Sequence, residues 1–362
     1  MSETQKHTKP NVPNLRFPGF EGEWENRTIA ECCTEFQSGK FINADAIADE
    51  GAYPVYGGNG LRGYAQSYNH DGDYTLIGRQ GALCGNVRFV KGKTYITEHA
   101  IAVKASPEND TRFLAFLFDK MNLRQYSDQS AQPGLAVNKL LKLRIDIPRL
   151  EEQTKISKFL SCLDERISIQ NKVIEKYESL IKALRCHIFS TIESEKEVTI
   201  ADVLSYEQPT KYIVSDTEYS DNKDLTPVLT ANKAFVLGYT EETKGIYDKG
   251  PCIILDDFTL DSKIVDFPFK VKSSAIKILS AKTSVHLRYI YEYLKFLDLN
   301  TEEHKRHYIS EIEPMTIELP DEDAIQSIAY LFDRMDQRRQ GLERDLQLLK
   351  YQKDYLLRTL FI

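Results

Sequence analysis

The chain has 362 residues, 41% of them hydrophobic and 28% charged, with a formal net charge of −7. That length accommodates two ordinary domains with helical additions. No apolar run reaches the roughly 18 residues that a membrane helix needs, and the polar stretch Met1 to Lys9 has no signal-peptide core. The expectation is a cytoplasmic protein without a membrane partner, and the acidic total excludes a basic footprint spread over the whole chain.

In chain order, residues 1–13 read as a disordered lead-in and 14–148 as a first globular domain. Short β-rich segments fall at Tyr53–Tyr56, Tyr74–Ile77, Val87–Val90 and Ile101–Val103, separated by glycine-rich turns such as Gly57-Gly58-Asn59-Gly60. That turn lacks the GxGxxG and GxxxxGK[ST] spacings of phosphate cradles, so a tight turn is the reading. A helix is predicted from Thr111 to Asp119 and on toward Arg124.

Residues 149–195 form a helix with 4-3-4-3 apolar spacing. Its seam is Ile156, Leu160, Leu163, Ile167, Gln170, Ile174, Tyr177, Ile181, Leu184 and Ile188, nine of ten apolar. Such a heptad seam is narrower than the stripe of a globular helix and needs a covering partner.

A second domain, 196–320, has strands predicted at Cys252–Leu255, Lys263–Phe267 and Ala275–Leu279 and a helix from Val285 to Leu297. A second helix, 321–362, carries the seam Ile328, Phe332, Met335, Arg339, Leu342, Leu346, Leu349, Lys353, Leu356 and Leu360, eight of ten apolar.

The halves are repeats. From Pro148/Pro320 to Phe189/Phe361 an offset of 172 holds without a gap. In the domains it drifts: Pro54-Val55 matches Pro227-Val228 at 173, and Gly63-Tyr64 matches Gly238-Tyr239 at 175. The predicted class is therefore α+β, with two globular domains separated by two long helices that form an antiparallel coiled coil. A homodimeric coiled coil is the alternative pairing.

Charge and chemistry point to binding. The domain 14–148 carries 15 basic and 16 acidic side chains, and 196–320 carries 15 and 21. Local basic runs free of acids are Arg79, Arg88, Lys91 and Lys93, and later Lys270, Lys272, Lys277 and Lys282. The six cysteines form no CxxC pair and have no nearby histidine cluster, which predicts reduced thiols and no metal site. No Walker A, Asn-Pro-Pro-Tyr, Asp-Pro-Pro-Tyr or Gly-x-Ser-x-Gly element occurs, which predicts a protein without catalysis of its own.

Several segments resemble the specificity subunits of type I restriction-modification systems. These are Val12-Pro13-Asn14-Leu15-Arg16-Phe17-Pro18-Gly19-Phe20-Glu21-Gly22-Glu23-Trp24, Gln132-Pro133-Gly134-Leu135, Ile147-Pro148-Arg149-Leu150-Glu151-Glu152-Gln153 and Phe159-Leu160-Ser161-Cys162-Leu163-Asp164-Glu165-Arg166-Ile167. The run Phe267-Pro268-Phe269-Lys270-Val271-Lys272-Ser273-Ser274-Ala275 resembles one class of target-recognition domain. The resemblance implies two target-recognition domains, each reading one half of a bipartite site on double-stranded DNA. It implies conserved helices that set the spacing and dock two modification (methyltransferase) subunits, joined by restriction (motor-nuclease) subunits. S-adenosylmethionine, ATP and Mg²⁺ would be bound by those partners, and no cofactor by this chain. A coiled-coil scaffold without DNA recognition is the competing reading.

Arginine pairs with guanine edges and asparagine or glutamine with adenine edges in the major groove. On that ground Arg79 and Gln80 lead the DNA-binding candidates of the first domain; Arg62, Tyr64, Gln132, Asn138 and Lys139 are further candidates, the last for phosphate, and Arg88 and Lys91 come from the basic run. In the second they are Asn232, Lys233, Lys263 and Lys272. Arg79 and Gln80 map loosely onto Ile254 and Leu255, ahead of Asp256-Asp257, which could accept from cytosine or cap a loop.

Overall fold

A computed structural model of the chain describes residues 11–128, 133–230, 235–282, 286–299 and 305–362. It contains two compact units. Residues up to Asn171 together with Asp345–Ile362 form the first, and Lys172–Arg344 form the second.

The first unit begins with β1 (Glu25–Thr28), the single turn α1 (Ile29–Cys32) and β2 (Cys33–Ser38). The hairpin β3 (Tyr53–Gly57) and β4 (Gly60–Ala65) follows, then β5 (Tyr74–Gly78), β6 (Val87–Val90), β7 (Tyr95–Ile96) and β8 (Ala100–Ala105). After α2 (Thr111–Met121) and α3 (Val137–Leu140), β9 (Arg144–Ile147) leads into the long helix α4 (Leu150–Thr191). The strands make three sheets, in the orders β2-β8-β5-β6, β4-β3-β7 and β1-β9. Helix α2 starts where the Asp110 side chain accepts from the Phe113 N–H at 2.7 Å. It stops short of the predicted end because Asn122 turns left-handed at φ 48°, the usual signature of a helix C-terminus.

The second unit repeats this plan with β10 (Lys196–Thr199), α5 (Ile200–Val203), β11 (Leu204–Glu207), β12 (Thr226–Leu229) and β13 (Val236–Thr240). It continues through β14 (Cys252–Asp256), β15 (Ser262–Val265), β16 (Lys270–Val271), β17 (Ile276–Ala281), α6 (Leu287–Phe296), β18 (Thr316–Leu319) and the long helix α7 (Glu322–Leu360). Its sheets run β11-β17-β14-β15, β13-β12-β16 and β10-β18, the same order strand for strand. Even details recur. Thr28 with Glu31 and Thr199 with Asp202 form capping boxes at matching turns. Both hairpins bulge at one place, where Gly63 (φ 142°) and Gly238 (φ 156°) sit. A Cβ at Gly63 would come within 2.6 Å of the Ala48 carbonyl oxygen, and one at Gly238 within 2.6 Å of Tyr219 Cβ. The Gly-Tyr match between the halves thus has a backbone cause.

The two long helices have 42 and 39 residues. Each seam position named from the sequence is buried or half-buried, and none is exposed. In the first unit, Ile156, Leu160 and Leu163 near the start of α4 share a core with Leu356, Leu357 and Leu360 near the end of α7. Lys353, a polar seam member, reaches Asp164 at 2.8 Å. In the second unit, Phe189 near the end of α4 packs with Ile325, Ile328 and Phe332 near the start of α7. Within each unit the pairing is therefore antiparallel and intramolecular, and the homodimeric alternative is not needed to cover the seams.

The motifs that carried the family resemblance have structural work to do. Arg16 binds the buried Glu152 through two contacts, Nε to Oε1 at 2.8 Å and Nη2 to Oε2 at 2.7 Å. Trp24 is buried edge-on against Phe113 and Phe361. Gln153, fully buried, donates to the Pro148 carbonyl and to Asn109 Oδ1, each at 2.8 Å, and accepts from the Asp110 N–H at 2.9 Å. Substituting Gln153→Leu removes all three bonds and costs about 1–3 kcal/mol for each buried group left unpaired. Faster amide exchange through Thr111–Met121 is the expected readout, and unchanged exchange there would contradict this role.

Candidate nucleic-acid interface

The β3–β4 turn brings the candidates of the first domain together. Gly58 and Gly78 allow the closest approach. A Cβ on Gly58 would meet the His99 carbonyl oxygen at 2.7 Å, and one on Gly78 would meet the Gly58 carbonyl oxygen at 2.8 Å. The turn is thereby pressed against the loop that follows β5. That loop is fixed by its backbone: Arg79 N–H donates to His99 O at 2.9 Å, and Leu135 N–H donates to Arg79 O at 2.9 Å. Gly81 N–H donates to Pro133 O at 3.1 Å. The described part of the Gln132-Pro133-Gly134-Leu135 motif therefore braces the Arg79–Gly81 loop. Cys84 closes the same loop from inside, its thiol donating to Arg79 O at 3.4 Å, and burial pushes that thiol up from its ordinary pKa.

Gly57, Gly58, Asn59, Arg62, Gln80, Gly81 and His99 line an open cleft of about 340 Å³. Arg62 lies along Gly57, where an added Cβ would sit 2.8 Å from its Cδ. The Arg88 guanidinium lies over Gly60, 3.1 Å from the equivalent point. Among the described residues, no hydrogen bond or ion pair engages the guanidinium of Arg62, Arg79 or Arg88. His99, which lines the cleft, sits 3.2 Å from the Glu98 carboxylate. Guanidiniums on and beside the cleft that no carboxylate engages among the described residues suit a polyanion.

Other candidates lie apart from this cluster. Lys91 sits 3.7 Å from Asp73, and Lys139, on α3 beside the exposed Asn138, pairs with Asp128 at 2.7 Å. Tyr64 is half-buried, its backbone bridged to Ala48 as well as to β3. Gln132, Asn232 and Lys233 fall outside the described residues. In the second domain Lys272 is exposed and Lys263 lies over the Phe235 ring at 4.4 Å.

Register corrects one correspondence. Leu76 pairs with Arg88 and Ala102, as Ile254 pairs with Lys263 and Ile278. Arg88 and Lys263 are thus equivalent, as the sequence offset had it, but Arg79 is equivalent to Asp257 and not to Ile254. The backbone agrees, since Asp257 N–H donates to Ala275 O at 2.9 Å just as Arg79 N–H donates to His99 O. The slip arises because the connection after β14 is shorter than the one after β5. It also settles the role of Asp256-Asp257 among the described residues. Asp256 Oδ1 accepts from the N–H groups of Phe258 and Thr259, and the buried Asp257 Oδ1 accepts from those of His307 and Tyr308. The second basic run likewise shrinks: Lys270 is buried against Glu242 at 3.0 Å and Lys277 against Asp257 at 3.1 Å. A sequence count of cations could not see those partners, which lie in other strands and loops.

The six cysteines are free, and no group of His, Cys, Asp or Glu among the described residues could hold a metal ion. No described helix is long and apolar enough to cross a membrane.

Residues 21–179 match the family model of the type I restriction modification DNA specificity domain. Over that stretch the chain is similar to the specificity proteins of type I restriction-modification systems. Over 165 residues it is 41% identical to the Type I restriction enzyme EcoprrI specificity subunit of Escherichia coli, covering 44% of this chain and 40% of that one. Over 169 residues it is 41% identical to the EcoR124I/EcoR124II specificity subunit of the same organism, covering 43% and 42%. The chain thus spans about two fifths of the length of these relatives. The crystal structure of the type I S subunit from M. genitalium shares the fold, with a TM-score of 0.69 at 18% identity over 97% of this chain and 99% of that one. The family resemblance seen in the motifs is borne out. The matched stretch holds the whole cleft that Arg62 and Gln80 line, with Arg79 and Arg88 in the same stretch, and sequence reasoning found that cleft only in part. Asn59 and His99 went unnamed because one lies in a turn motif and the other beside an acid.

Proposed function

We propose that this chain is the non-catalytic DNA-reading subunit of a type I restriction-modification complex. The observation that carries the proposal is the second unit, which repeats the strand order of the unit that includes most of the matched specificity domain. Two readers of one plan but unlike surfaces suit a bipartite, asymmetric site on duplex DNA. The first would read through Arg62, Arg79, Gln80 and Arg88, and the second through Lys263 and Lys272. Paired helices would set the spacing and dock two modification subunits, with restriction subunits joining them. S-adenosylmethionine, ATP and Mg²⁺ would be held by those partners, in the cytoplasm. The acidic total is compatible with this, since partner subunits can supply the phosphate-neutralising charge.

Sequencing of methylated adenine in cells that carry this chain with its modification subunits tests the proposal. One bipartite motif should depend on the chain. Exchange of residues 14–148 for those of a related subunit should change one half of it only. Absence of any dependent motif would favour the scaffold reading, and a change in both halves would refute separate readers.

A further inference from the structure

We infer that Asn59 is a base-reading residue of the first domain, paired with Gln80 to recognise adenine in the major groove. The inference rests on the proposal that this domain reads duplex DNA, and it names a residue and a base class that the proposal leaves open.

Asn59 sits at the tip of the β3–β4 turn, between two glycines, and is exposed. An asparagine in a hairpin turn is ordinarily explained by a left-handed backbone. Here that explanation fails: among the described residues the positive-φ non-glycine positions are Asn122, Leu260 and Asp298. Nor does the side chain cap the turn, for no hydrogen bond among the described residues engages its carboxamide. The turn's tight packing is met instead by Gly57, Gly58 and Gly60, each of which faces an atom within 3.1 Å of where a Cβ would stand. The asparagine is thus unexplained by the fold it occupies.

What the fold does is hold it in place. The close approach of Gly58 to Gly78 sets Asn59 on the same cleft as Gln80, whose backbone is bridged to Gly134. Gln80 is exposed and its carboxamide also has no hydrogen-bond partner among the described residues. A carboxamide offers one donor and one acceptor side by side, which matches the N7 acceptor and N6 donor of adenine and no other major-groove edge as well. The arginines around the cleft, Arg62 and Arg88, bring the phosphate backbone to it. In the second domain the position equivalent to Arg79 is the buried Asp257, which accepts from the N–H groups of His307 and Tyr308.

The test is the methylated-adenine motif of the complex carrying Asn59→Ala, with Gln80→Ala as a second variant. Each should relax one position of one half-site, lowering discrimination there by roughly 10- to 100-fold, while the other half-site stays intact. Because neither side chain bonds to any described residue, the thermal midpoint should not move. An unchanged motif, a motif altered in both halves, or uniform loss of methylation at every site would overturn the inference. If the unsubstituted complex yields no bipartite motif, the proposal of DNA reading itself falls, an outcome distinct from an unaltered motif in the variants.

Discussion

Glu292→Ala should destabilise the second unit by about 3–5 kcal/mol, the usual cost of removing one partner from a buried ion pair. Glu292, on α6, is 1% exposed. One oxygen meets Arg185 of α4 at 2.6 Å and the other meets Arg288 at 2.9 Å. Arg288 in turn lies 3.4 Å from Asp333 and 3.7 Å from Asp336, both on α7. One carboxylate thus ties the globular helix to both long helices within this unit. Loss of it strands Arg185, whose side chain is only 17% exposed, against apolar neighbours including the Phe332 ring. Hydrogen exchange reads the result domain by domain, which a single melting temperature does not. Amides of Leu287–Phe296 should exchange about a hundredfold faster or more, since about 1.4 kcal/mol is a factor of ten. Those of Thr111–Met121 should hold. Glu292→Gln, which keeps the shape and one acceptor, should cost less. Exchange within threefold of the native rate in the alanine variant would show the network to be energetically idle.

Joint replacement of Arg62, Arg79 and Arg88 by alanine should lower the affinity of the assembled complex for its own site by at least about a hundredfold. The lower bound follows from roughly 1 kcal/mol for each specific guanidinium contact, at about 1.4 kcal/mol per factor of ten. Every arginine that touches phosphate should also reduce the slope of log affinity against log salt by about 0.9. The fold should survive, because none of the three guanidiniums bonds to another part of the protein among the described residues. Titration of labelled duplex at several salt concentrations measures both quantities. A loss under about fivefold with an unaltered salt slope would remove this cleft from the DNA-binding surface.

Local pattern made much of this architecture legible beforehand. A heptad seam survives reading without a structure because helix period depends on neighbours within one turn, and so Ile156 to Ile188 and Ile328 to Leu360 were identified position by position. The strand starts at Tyr53, Tyr74, Val87 and Cys252 were visible for the same reason, each being a β-branched or aromatic run bounded by turn residues. The candidate site was legible in residue type but not in grouping. Arg79 and Arg88 stand in one local basic run and Lys270 and Lys277 in another, and by sequence the two runs look equal. The difference between them is the company they keep: Glu242 and Asp257 neutralise the lysines from 28 and 20 residues away (270 − 242 and 277 − 257), while no carboxylate among the described residues engages the arginines.

The sequence by itself determined the duplication, the long helices and the family resemblance, because periodicity and motif identity are local properties of the chain. Only the tertiary structure decided which residues correspond between the halves and which share a surface. Strand register made Asp257 the counterpart of Arg79, since a shorter connection after β14 shifts every later position without leaving a mark in composition. Glycine packing at Gly58 and Gly78 placed Asn59 on one cleft with Gln80, 21 positions along the chain (80 − 59). Such a juxtaposition depends on the missing Cβ atoms meeting in space, and no one-dimensional pattern records that.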